Sequence, residues 1–314
     1  MRKLGQSEIT CGAIGLGCMG MSYLYDPQGR DDAVSAEVLL AAPQLGMTLF
    51  DTAPVYAGGV NESLVGSVMG NRRGDIVLAT KCGLYRNTDG QRVIDGDPQR
   101  VIRECDESLQ RLRTDVIDVY QLHRVDPAVP LEETWGAMAE LKRAGKVRAL
   151  GISEATLEQI MTVHAIEPVD VVQSELSLWT RVWANDVLPW TVSNDVAFLA
   201  FSPVGRGFLT GRMGADRRFD GEDFRATNPR FTPDALAANQ SLIELIRPIA
   251  LAHGATIAQV ALAWLLEFAP TIIPIPGTRN PEHLRENAAA VDLTLNADEV
   301  MLLTALPAPE GSRY

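Results

Sequence analysis

Phe50-Asp51-Thr52-Ala53-Pro54-Val55-Tyr56 is the stretch that decides the reading of this chain. The short apolar run from Met47 to Phe50 has the length of a buried strand, stops at a carboxylate and is followed five residues later by a tyrosine. Two further runs end the same way: Ile76-Val77-Leu78-Ala79-Thr80 at Lys81, and Val116 to Leu122 at His123. Ionisable residues where buried strands surface are where α/β barrels carry their chemistry. Asp51, Tyr56, Lys81 and His123 are therefore expected to meet at one face of the molecule.

Working outward, the same alternation covers the chain. Lys3-Leu4-Gly5-Gln6-Ser7 and Glu8-Ile9-Thr10 read as a hairpin, and Ile14 to Met19 as a first buried strand. Helices are expected over 31–45, 61–69, 97–112, 131–144, 154–165, 185–193, 233–252, 256–268, 281–290 and 297–306. Strands fall between them at 47–50, 76–80, 116–122, 147–152, 169–173, 196–201 and 272–275. Asn61, Asp97-Pro98, Thr232-Pro233, Thr256 and Asn280-Pro281 are read as helix starts. Eight strands alternating with helices predict an α/β protein, a closed (β/α)8 barrel with an N-terminal β-hairpin and extra helices, in one domain spanning 1–314. An open doubly wound sheet is the alternative.

Gly15-Leu16-Gly17-Cys18-Met19-Gly20 matches G-x-G-x-x-G, but the helix a dinucleotide-binding turn requires does not follow, since Met21 to Arg30 lacks helical periodicity. The plainer reading is a glycine-rich exit from the first strand. The long segment 205–232 is rich in Gly, Arg, Asp and Phe and reads as an insertion whose composition favours mobility, partly ordered by cofactor.

With 28 Lys and Arg against 40 Asp and Glu, the formal charge is −12. That argues against nucleic acid as a partner and fits a soluble cytoplasmic protein. No signal peptide and no uninterrupted apolar run of membrane-spanning length is evident. Cys11, Cys18, Cys82 and Cys105 form no C-x-x-C or zinc pattern and are read as reduced and mostly buried; no H-x-x-x-H, H-E-x-x-H or clustered carboxylates appear, so no metal site is expected, and no G-x-S-x-G nucleophile elbow is present.

The four strand-end residues suggest a reaction. Tyrosine is a weak acid, with an ordinary pKa of about 10. An ammonium at Lys81 would favour its phenolate and lower that value, Asp51 would hold Lys81, and His123 would hydrogen-bond a carbonyl oxygen. Singly, each has a plainer reading: Asp51 as a cap, His123 as a satisfied core histidine, Lys81 as a solvated strand end. Their coincidence carries the argument.

At these residues the chain resembles the aldo-keto reductases. The matching pieces run in one order: Phe50-Asp51-Thr52-Ala53 with Tyr56; Asn61-Glu62 with Leu64 and Gly66; Ala79-Thr80-Lys81-Cys82-Gly83; Gln121-Leu122-His123-Arg124-Val125-Asp126; Gly145-Lys146-Val147-Arg148 with Gly151-Ile152-Ser153; Gln173-Ser174-Glu175-Leu176-Ser177; Phe201-Ser202-Pro203-Val204-Gly205-Arg206-Gly207; and Ile275-Pro276-Gly277-Thr278-Arg279 with Glu286-Asn287. The resemblance implies a barrel that reduces an aldehyde or ketone with NADP(H) and no metal. Tyr56 would be the general acid, assisted by Lys81 and Asp51, with His123 orienting the carbonyl. Ser153 and Gln173 would hold the nicotinamide carboxamide, Phe201 would stack on the ring, and Ser202, Pro203, Val204, Gly205, Arg206 and Gly207 would wrap the pyrophosphate. Gly17, Met19, Asp51, Pro276, Gly277, Thr278 and His283 complete the implied cofactor contacts. Arg279, with the helix opened by Asn280-Pro281, would grip the ribose 2′-phosphate, and Glu286 and Asn287 would read the adenine.

Two departures stand out. Many relatives have Asn after the serine of the fifth strand, where this chain has Glu154, and many have an aromatic ring beside the serine of the sixth-strand motif, where this chain has Glu175-Leu176-Ser177, so that stacking falls to Phe201. Tyr23, Tyr25, Trp179 and Trp183 are candidate pocket walls, which leaves the substrate a small carbonyl compound of unread identity and the oligomeric state open. A Schiff-base lyase using Lys81 and a non-catalytic NADP-binding sensor are the competing readings.

Overall fold

The alternation becomes eight parallel strands in the computed structural model, which describes residues 1–26 and 29–314. Of the Met21 to Arg30 stretch, Pro27 and Gln28 lie outside the described residues. The strands are β1 (Leu16–Gly17), β2 (Leu49–Asp51), β3 (Val77–Cys82), β4 (Ile117–Leu122), β5 (Val147–Ser153), β6 (Val171–Glu175), β7 (Ala197–Phe201) and β8 (Ile272–Pro274). Each pairs in parallel with the next in sequence. The ends of the sheet then meet: the Gly15 amide donates to Pro274 O at 2.9 Å, the Gly17 amide donates to Pro276 O at 3.1 Å, and Gly17 bridges Gly277. The barrel is closed, and the doubly wound alternative falls.

This seam explains the glycines of the first strand. A Cβ at Gly17 would lie 2.8 Å from Ile275 O, and one at Gly277 would lie 2.9 Å from Gly17 O. Side chains there would push the two strands apart. After Gly17 the chain makes a single short 3-10 turn, Met19–Met21, in place of the helix a dinucleotide turn needs.

Inside the barrel, residues of alternating strands pack in layers, among them Leu49, Ala79, Val119, Ala149, Val171 and Leu199. The N-terminal hairpin, Arg2–Lys3 against Thr10–Cys11, adds Leu4, Ile9 and Cys11 to the same cluster and so stoppers one end. That leaves the carboxyl ends of the strands as the face available to chemistry.

The helices are α1 (Asp32–Ala41), α2 (Val60–Met69), α3 (Pro98–Leu112), α4 (Leu131–Arg143), α5 (Leu157–His164), α6 (Val187–Ser193), α7 (Pro233–Ala252), α8 (Ile257–Phe268), α9 (Pro281–Ala288) and α10 (Ala297–Thr304). Asp97 caps α3, accepting from the Arg100 amide at 3.0 Å, and Thr256 caps α8 in a reciprocal box with Gln259. The expected helix from Asp31 to Leu45 ends at Ala41, because Pro43 has no amide to continue it and starts a separate 3-10 turn. The helix expected from Glu154 begins after Thr156, whose hydroxyl accepts from the Gln159 amide.

Asn61 is not a cap. Gly59 precedes α2, and the Asn61 side chain is buried inside its first turn, accepting from Thr52 Oγ1 at 2.6 Å and donating to Cys18 O at 2.8 Å. It ties the loop after β1 to the loop after β2. A second hairpin, Leu84–Arg86 with Arg92–Ile94, follows β3 and was not read from the sequence. The 205–232 insertion carries three 3-10 turns and is anchored across the mouth: the Phe224 amide donates to Leu24 O at 3.1 Å, and the Arg225 guanidinium lies 5.0 Å from the Tyr25 ring. Among the described residues no single helix is long and apolar enough to cross a membrane.

Candidate active site

Register places the site. Asp51 is the last residue of β2, Lys81 pairs with Gln121 across β3 and β4, and Gln121 pairs with Gly151 of β5. A Cβ at Gly151 would lie 2.7 Å from Gln121 Cγ, so the glycine makes the room Gln121 occupies. Successive inward positions on β4 are Gln121 and, just past its end, His123.

Lys81 is fully buried, and its Nζ donates to Asp51 Oδ2 at 2.6 Å and to Thr52 O at 2.9 Å, with Tyr56 OH at 3.4 Å. Burial alone would lower the lysine pKa; the Asp51 charge and hydrogen bond overcome it, and the value is raised above 10.5. Lys81 is thus an ammonium with its charge directed at the phenol.

Tyr56 departs from expectation in one respect. Burial pushes its phenol up, and the opposing pull of Lys81 only partly offsets this, so its pKa lies above 10.0 rather than below. Desolvation of a phenolate outweighs one nearby ammonium that is already shared with a carboxylate. The group is held protonated, the form a proton donor needs.

The His123 ring stands 6.1 Å from that of Tyr56 at 88°. Burial, then Lys81, Arg124 and Arg92, press its pKa well below 6.5, so the imidazole is neutral and can donate only one N–H. Its Nδ1 is buried without a partner among the described residues. Tyr23 stacks on Tyr56 with centroids 6.0 Å apart, and Met19 packs on the same small apolar cluster.

Asp51 is shared more widely than the sequence suggested. Its Oδ1 accepts from Gln173 Nε2 at 2.7 Å and Gln121 Nε2 at 3.2 Å, and the two amides also meet at 3.1 Å. Gln173 therefore has its NH2 group committed to Asp51. Ser153 Oγ accepts from Arg124 Nη1 at 3.1 Å. Gln121 was within a quoted motif without a role; its two-residue spacing from His123 is the signal that places it on the inner face.

Past the end of β7 the backbone folds back on itself. Between Ser202 and Gly207 the backbone turns left-handed at Ser202 (φ 49°), Gly205 (58°), Arg206 (56°) and Gly207 (96°). The amides of Val204 and Arg206 meet no protein acceptor among the described residues. Such a concavity of N–H groups suits an anion. The Arg206 side chain turns away from these amides to Glu175 Oε2 at 2.8 Å. Beyond the seam, Gly29, Asp31, Val34, Thr278, Arg279 and His283 border a cavity of about 350 Å³. Arg279 is engaged by Asp26, Nη2 to Oδ2 at 3.0 Å, and Glu286 by Arg212 at 2.6 Å, with His283 also on Arg212. Asn287 is buried on α9.

Trp179 is no pocket wall: it is 3% exposed, stacked on Phe208 at 4.4 Å and packed against Phe231. All four cysteines are free and buried, and burial pushes the Cys11 and Cys105 thiols up to about 12, which makes them inert. Among the described residues no group of three or more His, Cys, Asp or Glu side chains is arranged to hold a metal ion.

A closed (β/α)8 barrel with a buried lysine–aspartate pair, a tyrosine and a histidine at its carboxyl-end mouth defines a class of barrel oxidoreductase. Residues 13–307 match the aldo/keto reductase family, and the chain belongs to that family. It is 37% identical over 317 residues to a probable aldo-keto reductase 1 of Glycine max, covering 99% of this chain and 91% of that one. Among solved structures it is similar to a glycerol dehydrogenase from Gluconobacter oxydans (TM-score 0.85, 28% identity, 96% of this chain and 93% of that one). It is also similar to an aldo/keto reductase from Klebsiella pneumoniae in complex with NADP and acetate (TM-score 0.75, 28% identity, 100% and 99%).

Proposed function

We propose that this aldo-keto reductase uses NADPH to reduce an aldehyde or ketone to the alcohol, with Tyr56 as the proton donor. The observation that carries the reading is the fully buried Lys81, held 2.6 Å from Asp51 and 3.4 Å from the Tyr56 hydroxyl. The left-handed backbone at 202–207, the cavity at Arg279 and the half-buried Phe201 ring fit a dinucleotide laid from the seam to the site. When bound, the reduced nicotinamide supplies the hydride.

The chain's own residues do the rest. Neutral His123 donates a hydrogen bond to the carbonyl oxygen and fixes its direction. Tyr56 gives its proton to that oxygen as negative charge develops there. Lys81 stabilises the phenolate left behind, and Asp51 keeps Lys81 charged and in place. Gln121 and Gln173 hold Asp51. In this reading Ser153 would meet the carboxamide with its hydroxyl proton, while Gln173, its NH2 group on Asp51, would offer only its carbonyl oxygen. Arg279 would exchange Asp26 for the 2′-phosphate, which favours NADPH over NADH.

The Schiff-base reading loses its basis, since a lysine with a raised pKa, ion-paired and fully buried, is no nucleophile. The complete proton-transfer set weighs against a purely non-catalytic sensor. The test is a fluorescence titration with NADPH and NADH on wild type and Arg279→Ala, followed by a carbonyl panel with Tyr56→Phe. Tight NADPH binding that weakens selectively in Arg279→Ala, with turnover lost in Tyr56→Phe, is expected. Binding of neither nucleotide, or full turnover by Tyr56→Phe, overturns the reading.

A further inference from the structure

Glu154, the residue that follows β5, has a left-handed backbone at φ 56°, which is costly for a residue with a Cβ. Its side chain shows what holds it. Oε1 accepts from the Glu175 amide at 2.9 Å, and Oε2 pairs with Arg313 Nη2 at 2.7 Å. Arg313 Nε donates to Glu175 Oε2, also at 2.7 Å. One guanidinium thus fastens two carboxylates at the ends of neighbouring strands, β5 and β6. The same guanidinium lies over the Phe201 ring, 5.7 Å from its centroid, at the end of β7.

The segment that brings Arg313 here is tied along its length. The Glu310 amide donates to Asn239 Oδ1 at 2.8 Å, and Asn239 Nδ2 returns to Glu310 O at 3.1 Å. Arg313 O accepts from Asn228 Nδ2 at 3.0 Å and Arg206 Nη1 at 3.1 Å. Gly311 has φ +90°, and a Cβ there would lie 2.7 Å from Pro229 O, so the chain passes where only glycine fits.

We propose that Arg313 is a positioning residue for the reduction: it braces Phe201 and holds Glu154 away from the carboxamide position beside Ser153, so that the 310–314 segment completes the active site. The proposal rests on Phe201 being the platform for the nicotinamide. It makes Glu154 and Glu175 the two sides of a latch, with the arginine supplied from more than 150 positions beyond Glu154 along the chain. Without Arg313, Glu154 loses its cation partner next to Ser153, and Phe201 loses the contact on one face. Groups displaced by a fraction of an ångström lose rate in the chemical step more than they lose binding.

The experiment compares wild type, Arg313→Ala and Glu154→Gln for NADPH affinity, kcat, KM and bound-NADPH emission, with and without ethylguanidinium. Expected for Arg313→Ala are a kcat lower by about tenfold or more, a KM for the carbonyl changed far less, and a shifted emission of the bound nicotinamide. Ethylguanidinium, which supplies the atoms that Arg313→Ala removes, is expected to restore part of the rate. Glu154→Gln keeps the hydrogen bond and loses the charge, so its loss is smaller and in the same direction. Unchanged kcat in Arg313→Ala overturns the proposal. So does a loss without rescue that tracks a lowered melting temperature, which would make the role structural, and so does tighter NADPH binding, which would make Arg313 an obstacle. A wild type that binds no nucleotide overturns the reductase reading itself, whereas an active wild type with an indifferent Arg313→Ala overturns this inference alone.

Discussion

Asp51→Asn keeps the shape of the site and removes the charge that Lys81 rests against. Of the three oxygens around Lys81 Nζ, only Asp51 Oδ2, at 2.6 Å, is anionic; Thr52 O and the Tyr56 hydroxyl are dipoles. Breaking a buried ion pair on one side leaves the other charge out of water, at about 3–5 kcal/mol. Urea unfolding of Asp51→Asn at pH 7 is expected to show a loss of that size. The pH dependence has a definite sign. In wild type the Lys81 pKa is raised above 10.5 in the fold, so its stabilisation is complete below 10.5 and is lost as pH rises through the folded-state value. In the variant, uncompensated burial lowers the lysine pKa, and the penalty is relieved as pH rises. The stability gap between the two proteins therefore narrows toward alkaline pH. Asp51→Asn with Lys81→Met removes both charges and is expected to recover most of the loss, with a coupling energy of about 2 kcal/mol or more in the double-mutant cycle. A double variant as unstable as the sum of its parents would refute the claim that pairing holds this charge.

Three further outcomes are expected. His123 has its pKa pressed well below 6.5, so its contribution to stability is present above 6.5 and declines as pH falls below it toward the folded-state value; His123→Gln should flatten the acid limb of the stability profile in that window, read by urea midpoints. Asp26→Asn frees Arg279 from an exposed pair worth about 0–1 kcal/mol, so NADPH should bind up to about fivefold tighter in a fluorescence titration while NADH is unaffected. Gly66→Ala places a Cβ 2.3 Å from Arg111 O where α2 crosses α3, and thermal unfolding should show a loss of about 1–3 kcal/mol from overpacking.

What the sequence disclosed follows its periodicities. Asp51, Lys81 and His123 were legible because each interrupts an apolar run at its end, and a strand end in a barrel has one destination. Caps that depend on three or four neighbouring residues, Asp97 and Thr256, were legible for the same local reason. Asn61 deceived because a polar residue ahead of an apolar stretch looks the same whether it caps a helix or ties two loops. Three things stayed hidden: the Asp51–Gln121–Gln173 cluster, the core packing of Trp179, and the docking of Arg313 on Glu154 and Glu175. All three depend on strands or segments that become neighbours only after closure. The direction of the Tyr56 shift was out of reach as well, since it is a balance between burial and one ammonium, and a sequence carries no measure of burial.

The β1–β8 seam has a consequence for how the barrel breathes. Elsewhere neighbouring strands share up to five register pairs, as β4 and β5 do, while the seam is held by the Gly15 and Gly17 amides and one glycine–glycine bridge. Opening there breaks few bonds, so amide hydrogen exchange should be faster along this line than between β4 and β5. The proposed nucleotide cleft runs across the same line, from Gly17 to Gly277. A dinucleotide spanning it would slow exchange at residues on both sides, acting as a clasp on the cylinder as well as a source of hydride.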